Sequence, residues 1–296
     1  MSVISVMSNK GGVGKTTISI NLAAALVRQD KKVLLVDFDP QASLTTGLGF
    51  VRYENTVTIK HVLEKVINGE KLNPKEGIQQ HSEGMYFMPS CIDLQGYETS
   101  LINEYGRENV LKTHIDCVKD DYDYTIIDGQ PSLNLLIINV LTAVDRIIIP
   151  IQTQEYSVTG LRVYFDFLEM LNRRGLNQRL VIDGLLPSMV NERTKESKAQ
   201  LAEIYKDYGD SHRIFFNSIP HTVKLQETSS HGVSIFKHDS KSRAAQVFEI
   251  LAKEVINIGR ERSEDRNRIE QPTRSGKKLK TRRAKGSADK QAAHTV

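Results

Sequence analysis

Short apolar runs rich in β-branched residues alternate along the chain with stretches of helical period. The first run, residues 3–7, stops at Ser8-Asn9, and the stretch after Thr16 has the apolar spacing of a helix. Further strands are predicted at residues 33–36, 85–88, 124–127, 147–151, 180–186 and 214–219. Further helices are predicted at residues 57–67, 161–172, 195–208 and 242–258. Continuously apolar strands that alternate with helices predict an α/β fold with a mostly parallel, doubly wound sheet flanked by helices.

Positive charge is concentrated at the C-terminal end of the chain. The 296 residues have a formal net charge of +4. Residues 259–296 carry 12 Lys and Arg against 5 Asp and Glu, whereas residues 1–258 have an excess of acidic groups. The last aromatic residue is Phe248, and the composition then turns to Arg, Lys, Ser, Gly and Gln. This predicts one globular domain over residues 1–258 and a basic, disordered tail over residues 259–296.

Several classes of protein are excluded by composition. The chain has no apolar run of about 18 residues and no secretory signal, so we expect a cytoplasmic protein. Cys91 and Cys117 lie far apart and form no C-x-x-C pattern, which argues against a disulfide framework, a thiolate metal site or an iron–sulfur cluster. The histidines lack the spacing of a metal-binding helix.

A glycine-rich loop between the first strand and the first helix carries the strongest chemical signal. Its residues are Lys10, Gly11, Gly12, Val13, Gly14, Lys15, Thr16 and Thr17. Glycines let backbone N–H groups close around phosphate oxygens, and the N-terminus of the helix adds positive potential. In such loops the lysine, here Lys15, reaches the β- and γ-phosphates, and the hydroxyl of Thr16 ligates Mg²⁺. The loop therefore predicts a nucleotide-binding site.

Carboxylates follow two of the predicted buried strands. Asp37 and Asp39 end the second strand, and Asp128 ends the strand at residues 124–127. Open parallel sheets present their ligand sites at these strand ends. We expect Asp128 and Asp37 to serve the Mg²⁺ shell and Asp39 to orient or deprotonate the attacking water. The alternative for Asp37 and Asp39 is that one of them caps the following turn.

The loop departs from the general phosphate-binding pattern at two positions. Asn9 stands where the first glycine is usual, and an extra lysine, Lys10, precedes Lys15 by five residues. In this it resembles the deviant Walker A loop of the ParA and MinD ATPases, whose extra lysine reaches the nucleotide of the partner subunit in a sandwich dimer. Residues 33–41 resemble the D-x-D-P-Q motif of the same family, which implies that Asp39 activates water.

The resemblance extends through most of the chain, from Val3 to about Val255. Residues 149–161 resemble the family's I-P-x-Q-x-E-x-x-x-x-G-L segment, residues 189–194 its loop beside the adenine, and residues 219–232 its I-P-R-N-x-x-L-x-E-A-x-S-H-G segment. Met189 and Pro220 are accordingly expected to contact the nucleotide. Two positions differ: Gln130 interrupts the usual D-x-P-P, and His221 replaces an arginine. Together these matches resemble ParA/Soj-type partition ATPases.

That resemblance implies a function. ATP and Mg²⁺ would be the cofactors, and the ATP-bound homodimer would bind DNA without sequence specificity while associated with the bacterial nucleoid. A ParB-like DNA-binding partner would accelerate a weak basal ATP hydrolysis. Four basic residues lie in the region that matches the DNA-binding face, namely Lys224, Lys237, Lys241 and Arg243. The alternative for each is an ordinary solvated side chain, and for the tail a solubilising extension instead of added phosphate contacts.

Two other uses of the same scaffold were weighed. MinD-like membrane positioning requires an amphipathic C-terminal helix, but residues 277–285 contain one large apolar side chain, Leu279, so no membrane partner is expected. An ATP-dependent ligase acting on a small molecule would use the same phosphate loop. Its ATP turnover would depend strictly on a second substrate, which distinguishes it from a partition ATPase.

Overall fold

The computed structural model describes residues 1–153, 158–191 and 193–270. Contacts divide the chain into two units, Met1–Gly259 and Arg260–Val296. Part of the family-like segment at 149–161, namely residues 154–157, lies outside the described residues, and so do residues 271–296 of the predicted tail.

Within the described residues, seven strands form one sheet in the order β3-β4-β2-β5-β1-β6-β7. They are β1 (Ser2–Val6), β2 (Val33–Phe38), β3 (Gln79–Gln80), β4 (Tyr86–Met88), β5 (Tyr124–Gly129), β6 (Arg146–Gln152) and β7 (Val181–Ser188). Every pairing is parallel except that of β3 with β4. Every residue of β2 and β5 is buried, as expected of parallel strands covered on both faces. The predicted mostly parallel α/β fold is confirmed.

Helices cover both faces of the sheet. They are α1 (Lys15–Val27), α2 (Ser43–Gly47), α3 (Ile59–Ile67), α4 (Leu94–Leu101), α5 (Val110–Val118), α6 (Leu135–Ala143), α7 (Val158–Arg173), α8 (Lys195–Tyr208), α9 (Val223–His231), α10 (Ile235–His238) and α11 (Arg243–Glu270). One apolar cluster packs α3 to α8 on one face, and a second packs α1, α2, α9, α10 and the first part of α11 on the other. The glycine-rich loop therefore leads from β1 to the second face, where α1 packs.

The strand predicted at residues 214–219 is wrong. This segment makes only isolated bridges to the rest of the sheet, from Ile214 to Leu185 and from Pro220 to Val190. Phe216 is 80% exposed, and polar Asn217 and Ser218 follow it, so the apolar run does not supply a continuous buried edge.

The helix predicted at residues 242–258 continues to Glu270. Residues 259–270 of the predicted tail are therefore helical in the structure, and the division into a domain and a disordered tail stays a prediction. A helix already nucleated by packing gains one hydrogen bond for each added residue without a second nucleation cost. Arg and Glu dominate this extension and favour helix, and Arg260 and Glu264 have the spacing of a favourable charge pair.

Candidate nucleotide-binding site

The phosphate loop joins β1 to α1 and depends on glycine at two positions. Gly12 and Gly14 have φ angles of 77° and 87°, in the left-handed region that side chains disfavour. A Cβ at Gly11 or Gly12 would meet no protein atom within 4 Å. The space over the loop is thus left open for a ligand to approach the backbone, which fits phosphate oxygens.

Lys15 begins α1 and is only 9% exposed. Its ammonium group donates to the carbonyl oxygen of Lys10 at 3.5 Å. Burial lowers the pKa of Lys15, while the carboxylates of Asp128 and Asp39 oppose that shift. A cation that has lost much of its hydration gains strongly from an anionic ligand, so Lys15 is suited to bind phosphate.

Thr16 and Asp128 meet at the N-terminus of α1. The Thr16 hydroxyl donates to Asp128 Oδ2 at 2.7 Å, and the Ser19 hydroxyl lies 3.1 Å from Asp128 Oδ1. Burial raises the pKa of Asp128 to about 6, although the hydrogen bond from Thr16 and the charge of Lys15 oppose the shift. Hydroxyl and carboxylate oxygens are ligands that Mg²⁺ prefers. This pair therefore fits a magnesium ion beside the bound phosphates.

Asp37 lies opposite Asp128 in the pairing of β2 with β5 and is fully buried. Its Oδ2 accepts hydrogen bonds from Thr45 N at 2.8 Å and Thr45 Oγ1 at 2.6 Å, and its Oδ1 accepts one from Asp39 N at 3.2 Å. Burial and the charge of Asp128 raise its pKa to about 7. Ser90 N donates in turn to Thr45 Oγ1 at 3.0 Å. Asp37 anchors the start of α2, and its place in the Mg²⁺ shell stays a prediction.

Asp39 and Lys10 are half-buried at the rim of the same site. Asp39 Oδ1 accepts from Gln41 N at 2.9 Å, so this carboxylate does cap the following turn. Its charge also acts on the pKa values of Lys15 and Asp128, which places it beside the phosphate loop. The role of Asp39 in activating water and that of Lys10 across a dimer stay predictions.

A cleft beside the loop brings Met189 and Pro220 next to the start of α1. Its lining residues are Val13, Gly14, Thr17, Ile18, Ser188, Met189, Ile219, Pro220, His221, Thr222, Leu225 and Gln226. Met189 has a φ of 53°, a conformation that costs energy for a side chain of this size and that accumulates at ligand sites. The cleft combines apolar walls with polar groups, as expected of a site for a nucleobase.

The four residues predicted to contact DNA lie on successive elements. Lys224 is on α9, Lys237 is on α10, Lys241 is in the following turn, and Arg243 begins α11. All four are exposed. Lys224 forms an ion pair with Asp239, and Lys237 Nζ donates to Ser82 Oγ at 3.4 Å. Part of the positive charge of this face is therefore balanced by the protein itself.

Periodicity gave no signal for the contacts that tie this face to α1 and α2. Asn21 Nδ2 donates to the carbonyl of Thr17 at 2.8 Å, and Asn21 Oδ1 accepts from Ile235 N at 2.7 Å, which joins α1 to α10. Gly49 and Gly232 touch backbone to backbone, since a Cβ on Gly232 would lie 2.6 Å from Gly49 Cα. Neither contact is visible from local sequence because its partners lie far apart along the chain.

The three positions that depart from the general loop or from the family pattern have distinct surroundings. Asn9 Nδ2 donates to the carbonyl of Gly160 at 3.1 Å and so fastens the phosphate loop to α7. Gln130 follows β5 directly, and its buried Nε2 has no hydrogen-bond partner within the described residues. His221 lines the cleft beside Pro220.

Comparison with known proteins gives this geometry a family. A family model described as an AAA domain matches residues 1–182. The sporulation initiation inhibitor protein Soj of Bacillus subtilis is 38% identical over 260 residues, which cover 87% of this chain and 99% of Soj. The chromosome partitioning protein ParA of Caulobacter vibrioides is 33% identical over 264 residues, covering 88% of this chain and 96% of ParA. The chain belongs to the ParA/Soj family of chromosome-partitioning ATPases.

A solved structure shares the fold of this chain. Cobyrinic acid a,c-diamide synthase from Mycobacterium smegmatis, with bound ATP analog and magnesium, has a TM-score of 0.75 and 31% identity, covering 86% of this chain and 94% of that one. The similarity to ParA/Soj-type ATPases inferred from the phosphate loop is confirmed. Among the helices of the described residues, none combines the length and the apolar character needed to cross a membrane.

Proposed function

We propose that this chain is a partition ATPase that binds ATP and Mg²⁺, hydrolyses ATP to ADP and phosphate, and binds DNA without sequence specificity as an ATP-bound dimer. The observation that carries the proposal is the contact between Thr16 and Asp128 beside buried Lys15, at the N-terminus of α1. The cofactors are supported by the similar synthase structure, which contains an ATP analog and magnesium. The role in partition is supported by the similarity to Soj and ParA.

Each residue of the site has a separate task in this proposal. The loop backbone and Lys15 hold the β- and γ-phosphates, while Thr16 and Asp128 hold Mg²⁺, which when bound neutralises charge that develops on the phosphate oxygens. Asp39 orients the attacking water. Lys10 reaches the phosphates of the second protomer, so that the dimer persists while ATP is intact.

Slow basal turnover follows from this arrangement. Phosphoryl transfer depends on positioning and charge neutralisation, so a site whose water and rim residues are not fully fixed hydrolyses ATP slowly. A ParB-like DNA-binding adaptor would complete the site, accelerate hydrolysis and return the dimer to monomers. The exposed residues Lys224, Lys237, Lys241 and Arg243 would contact DNA phosphates, placing the ATP-bound protein on the bacterial nucleoid.

The deciding experiment measures retention of the full chain on a DNA fragment of arbitrary sequence with ATP, with ADP and without nucleotide. Retention is expected with ATP but not with ADP or without nucleotide, because only the ATP-bound dimer combines two basic faces. Equal retention in all three conditions would contradict the proposal. A second DNA fragment of unrelated sequence serves as a control, and equal affinity for both is expected since the contacts are made to phosphates.

A second candidate is an ATP-dependent ligase of small molecules, and the similarity to cobyrinic acid a,c-diamide synthase favours it. The two functions differ in what ATP hydrolysis requires. A partition ATPase turns over ATP with DNA and its protein partner, whereas a ligase requires a small carboxylate substrate. ATP hydrolysis that stays at background with DNA and an adaptor, but rises with a small acid and an amine donor, would select the ligase.

A further inference from the structure

A groove runs between α3 and α4, in the helical layer on the sheet face opposite α1. It consists of two adjoining clefts of about 660 and 450 Å³, and both are lined by Glu64, Tyr97 and Ser100. No residue proposed above for binding ATP, Mg²⁺ or DNA lines either cleft. The groove therefore lies apart from the residues proposed for ATP, Mg²⁺ and DNA, and its ligand has to be inferred from its own lining.

The groove is acidic. Its carboxylates are Glu64, Glu70, Asp93 and Glu104. Its two lysines are already engaged by carboxylates, Lys60 by Glu64 at 2.8 Å and Lys65 by Glu76 at 2.6 Å. In the described part of the chain, no ion pair engages the other three lining carboxylates, and all three are exposed. The negative charge that remains selects a cationic ligand and repels nucleic acid.

Tyr97 forms the floor that the two clefts share. The residue is 4% exposed, and its buried hydroxyl has no hydrogen-bond partner among the described residues. Burial raises the pKa of Tyr97, and the charges of Glu64 and Glu104 raise it further, so these carboxylates lie near the ring. A buried polar group without a partner is destabilising, and a phenol oxygen can accept a hydrogen bond from an ammonium or guanidinium group.

An exposed apolar side chain lies within this acidic surface. Ile92 lines one cleft and is 53% exposed. A large exposed apolar side chain beside unpaired carboxylates is typical of a surface that binds another protein. A small polyamine would use the carboxylates but would leave Ile92 uncovered.

We propose that the groove between α3 and α4 docks a basic segment of a partner protein, with Arg or Lys side chains on the carboxylates and an apolar side chain against Ile92. Arginine fits because its planar group can bind a carboxylate through two hydrogen bonds. The length of α3 is about 13 Å at 1.5 Å per residue, which accommodates about four residues of an extended peptide.

The test titrates the full chain into a fluorescein-labelled peptide of sequence Arg-Leu-Arg-Lys-Leu-Arg and follows fluorescence anisotropy without nucleotide. The groove variant combines Glu70→Gln, Asp93→Asn and Glu104→Gln. We expect it to bind about tenfold more weakly, because each exposed charge pair contributes a modest part of the affinity. The control variant combines Asp166→Asn, Glu203→Gln and Asp210→Asn, exposed residues outside the groove that give the same change in net charge. Its affinity is expected to equal that of the wild type.

Tyr97→Phe separates binding from folding. It removes a hydroxyl that has no partner, so the melting temperature should not fall, whereas peptide affinity should fall about threefold. Unchanged affinity in this variant would contradict a peptide placed over Tyr97. Equal affinity of wild type and groove variant, or an equal loss in groove and control variants, would overturn the proposal. Displacement of the peptide by spermine at the same concentration of positive charge would identify a polyamine as the ligand and also overturn it.

Discussion

The phosphate loop and the basic face on α9 to α11 both place cations where an anionic polymer or nucleotide could bind, but they do so in opposite ways. Lys15 is 9% exposed and points across a loop whose backbone is fixed by left-handed glycines. The side chain of Lys224 is 54% exposed and already holds Asp239. One site consists of a few buried groups with fixed partners, and the other of several exposed groups with partners that can be exchanged.

This difference sets the size of the effect expected from a mutation. A buried charge that loses its partner costs much more than an exposed one, because water cannot replace the lost interaction. Exposed charges on a DNA-binding face act additively and weaken with salt. Replacing the buried Lys15 should therefore abolish nucleotide binding, whereas replacing one exposed cation of the basic face should only reduce DNA binding.

Lys15→Ala is expected to give the largest effect. Loss of the buried ammonium group removes charge-assisted contacts to two phosphates, so ATP affinity should fall by at least about 100-fold. Titration calorimetry with ATP and Mg²⁺ measures it. Lys253→Ala, an exposed residue on α11, is the control and should bind as the wild type does. Retained affinity in Lys15→Ala would remove the phosphate-loop assignment.

Lys10→Ala tests a half-buried lysine, whose exposure lies between that of the buried Lys15 and that of the lysines on the basic face. ATP affinity should change by no more than about threefold. ATP-dependent dimerisation and DNA binding should be lost, since the contact across the dimer is missing. Sedimentation with ATP, under conditions that block hydrolysis, measures the mass of each form. A wild-type chain that remains monomeric at saturating ATP would contradict the sandwich dimer.

The pH dependence comes from the buried carboxylates. The raised pKa values of about 7 for Asp37 and about 6 for Asp128 mean that the folded, ligand-free protein holds more protons than the unfolded chain above pH about 4. Their contribution to the free energy of unfolding is therefore present at low pH and is lost as pH rises through those values. Mg²⁺ needs the ionised carboxylate, so affinity for Mg²⁺ with ATP should rise over the same range.

Melting temperatures with and without Mg²⁺ and ATP across this range measure both trends. Asp128→Asn should remove the share of the pH dependence of stability that is due to Asp128. It should also weaken the stabilisation by Mg²⁺ and ATP. A stabilisation by ligand that is independent of pH in the wild type would contradict the assignment of Asp128 to the metal site.

The smallest effects are expected on the basic face. Lys224→Ala should weaken DNA binding a few-fold. In a plot of the logarithm of affinity against the logarithm of salt concentration, the line should become less steep by about 0.9. Asp239→Asn frees the Lys224 ammonium group and should strengthen DNA binding by about twofold. Filter retention at several salt concentrations measures these changes, and Lys206→Ala on α8 is the control. Identical slopes for wild type and Lys224→Ala would remove Lys224 from the DNA-binding face.

The nucleotide site could be predicted because its signals are local. The glycines, Lys15 and Thr16 are adjacent in sequence, and Asp128 ends a strand whose burial is visible from its apolar run. Parallel topology then brings these strand ends together. The same logic placed Asp37 at the site, but it did not show that Thr45 donates two hydrogen bonds to one of its carboxylate oxygens.

Contacts between distant segments could not be predicted. The bridge from α1 to α10 through Asn21 joins residues more than 200 positions apart, and polarity alone does not reveal such a partner. The segment at 214–219 has the apolar content of a strand, but tertiary packing leaves Phe216 exposed and limits it to isolated bridges. The extension of α11 beyond Gly259 depends on the packing of the earlier turns, from which the helix can grow without a new nucleation step. Amino-acid composition does not reveal that packing.

The contact between Gly49 and Gly232 leaves no room for even a methyl group between the end of α2 and the end of α9. A rotation of α2 that follows a rearrangement at Asp39 must therefore displace α9 or open a gap between the two backbones. Replacing either glycine with alanine would wedge these helices apart and change their relative orientation. In the proposed function, coupling between the nucleotide and the basic face would depend on these two glycines, which carry no charge and do not line the cleft beside the phosphate loop.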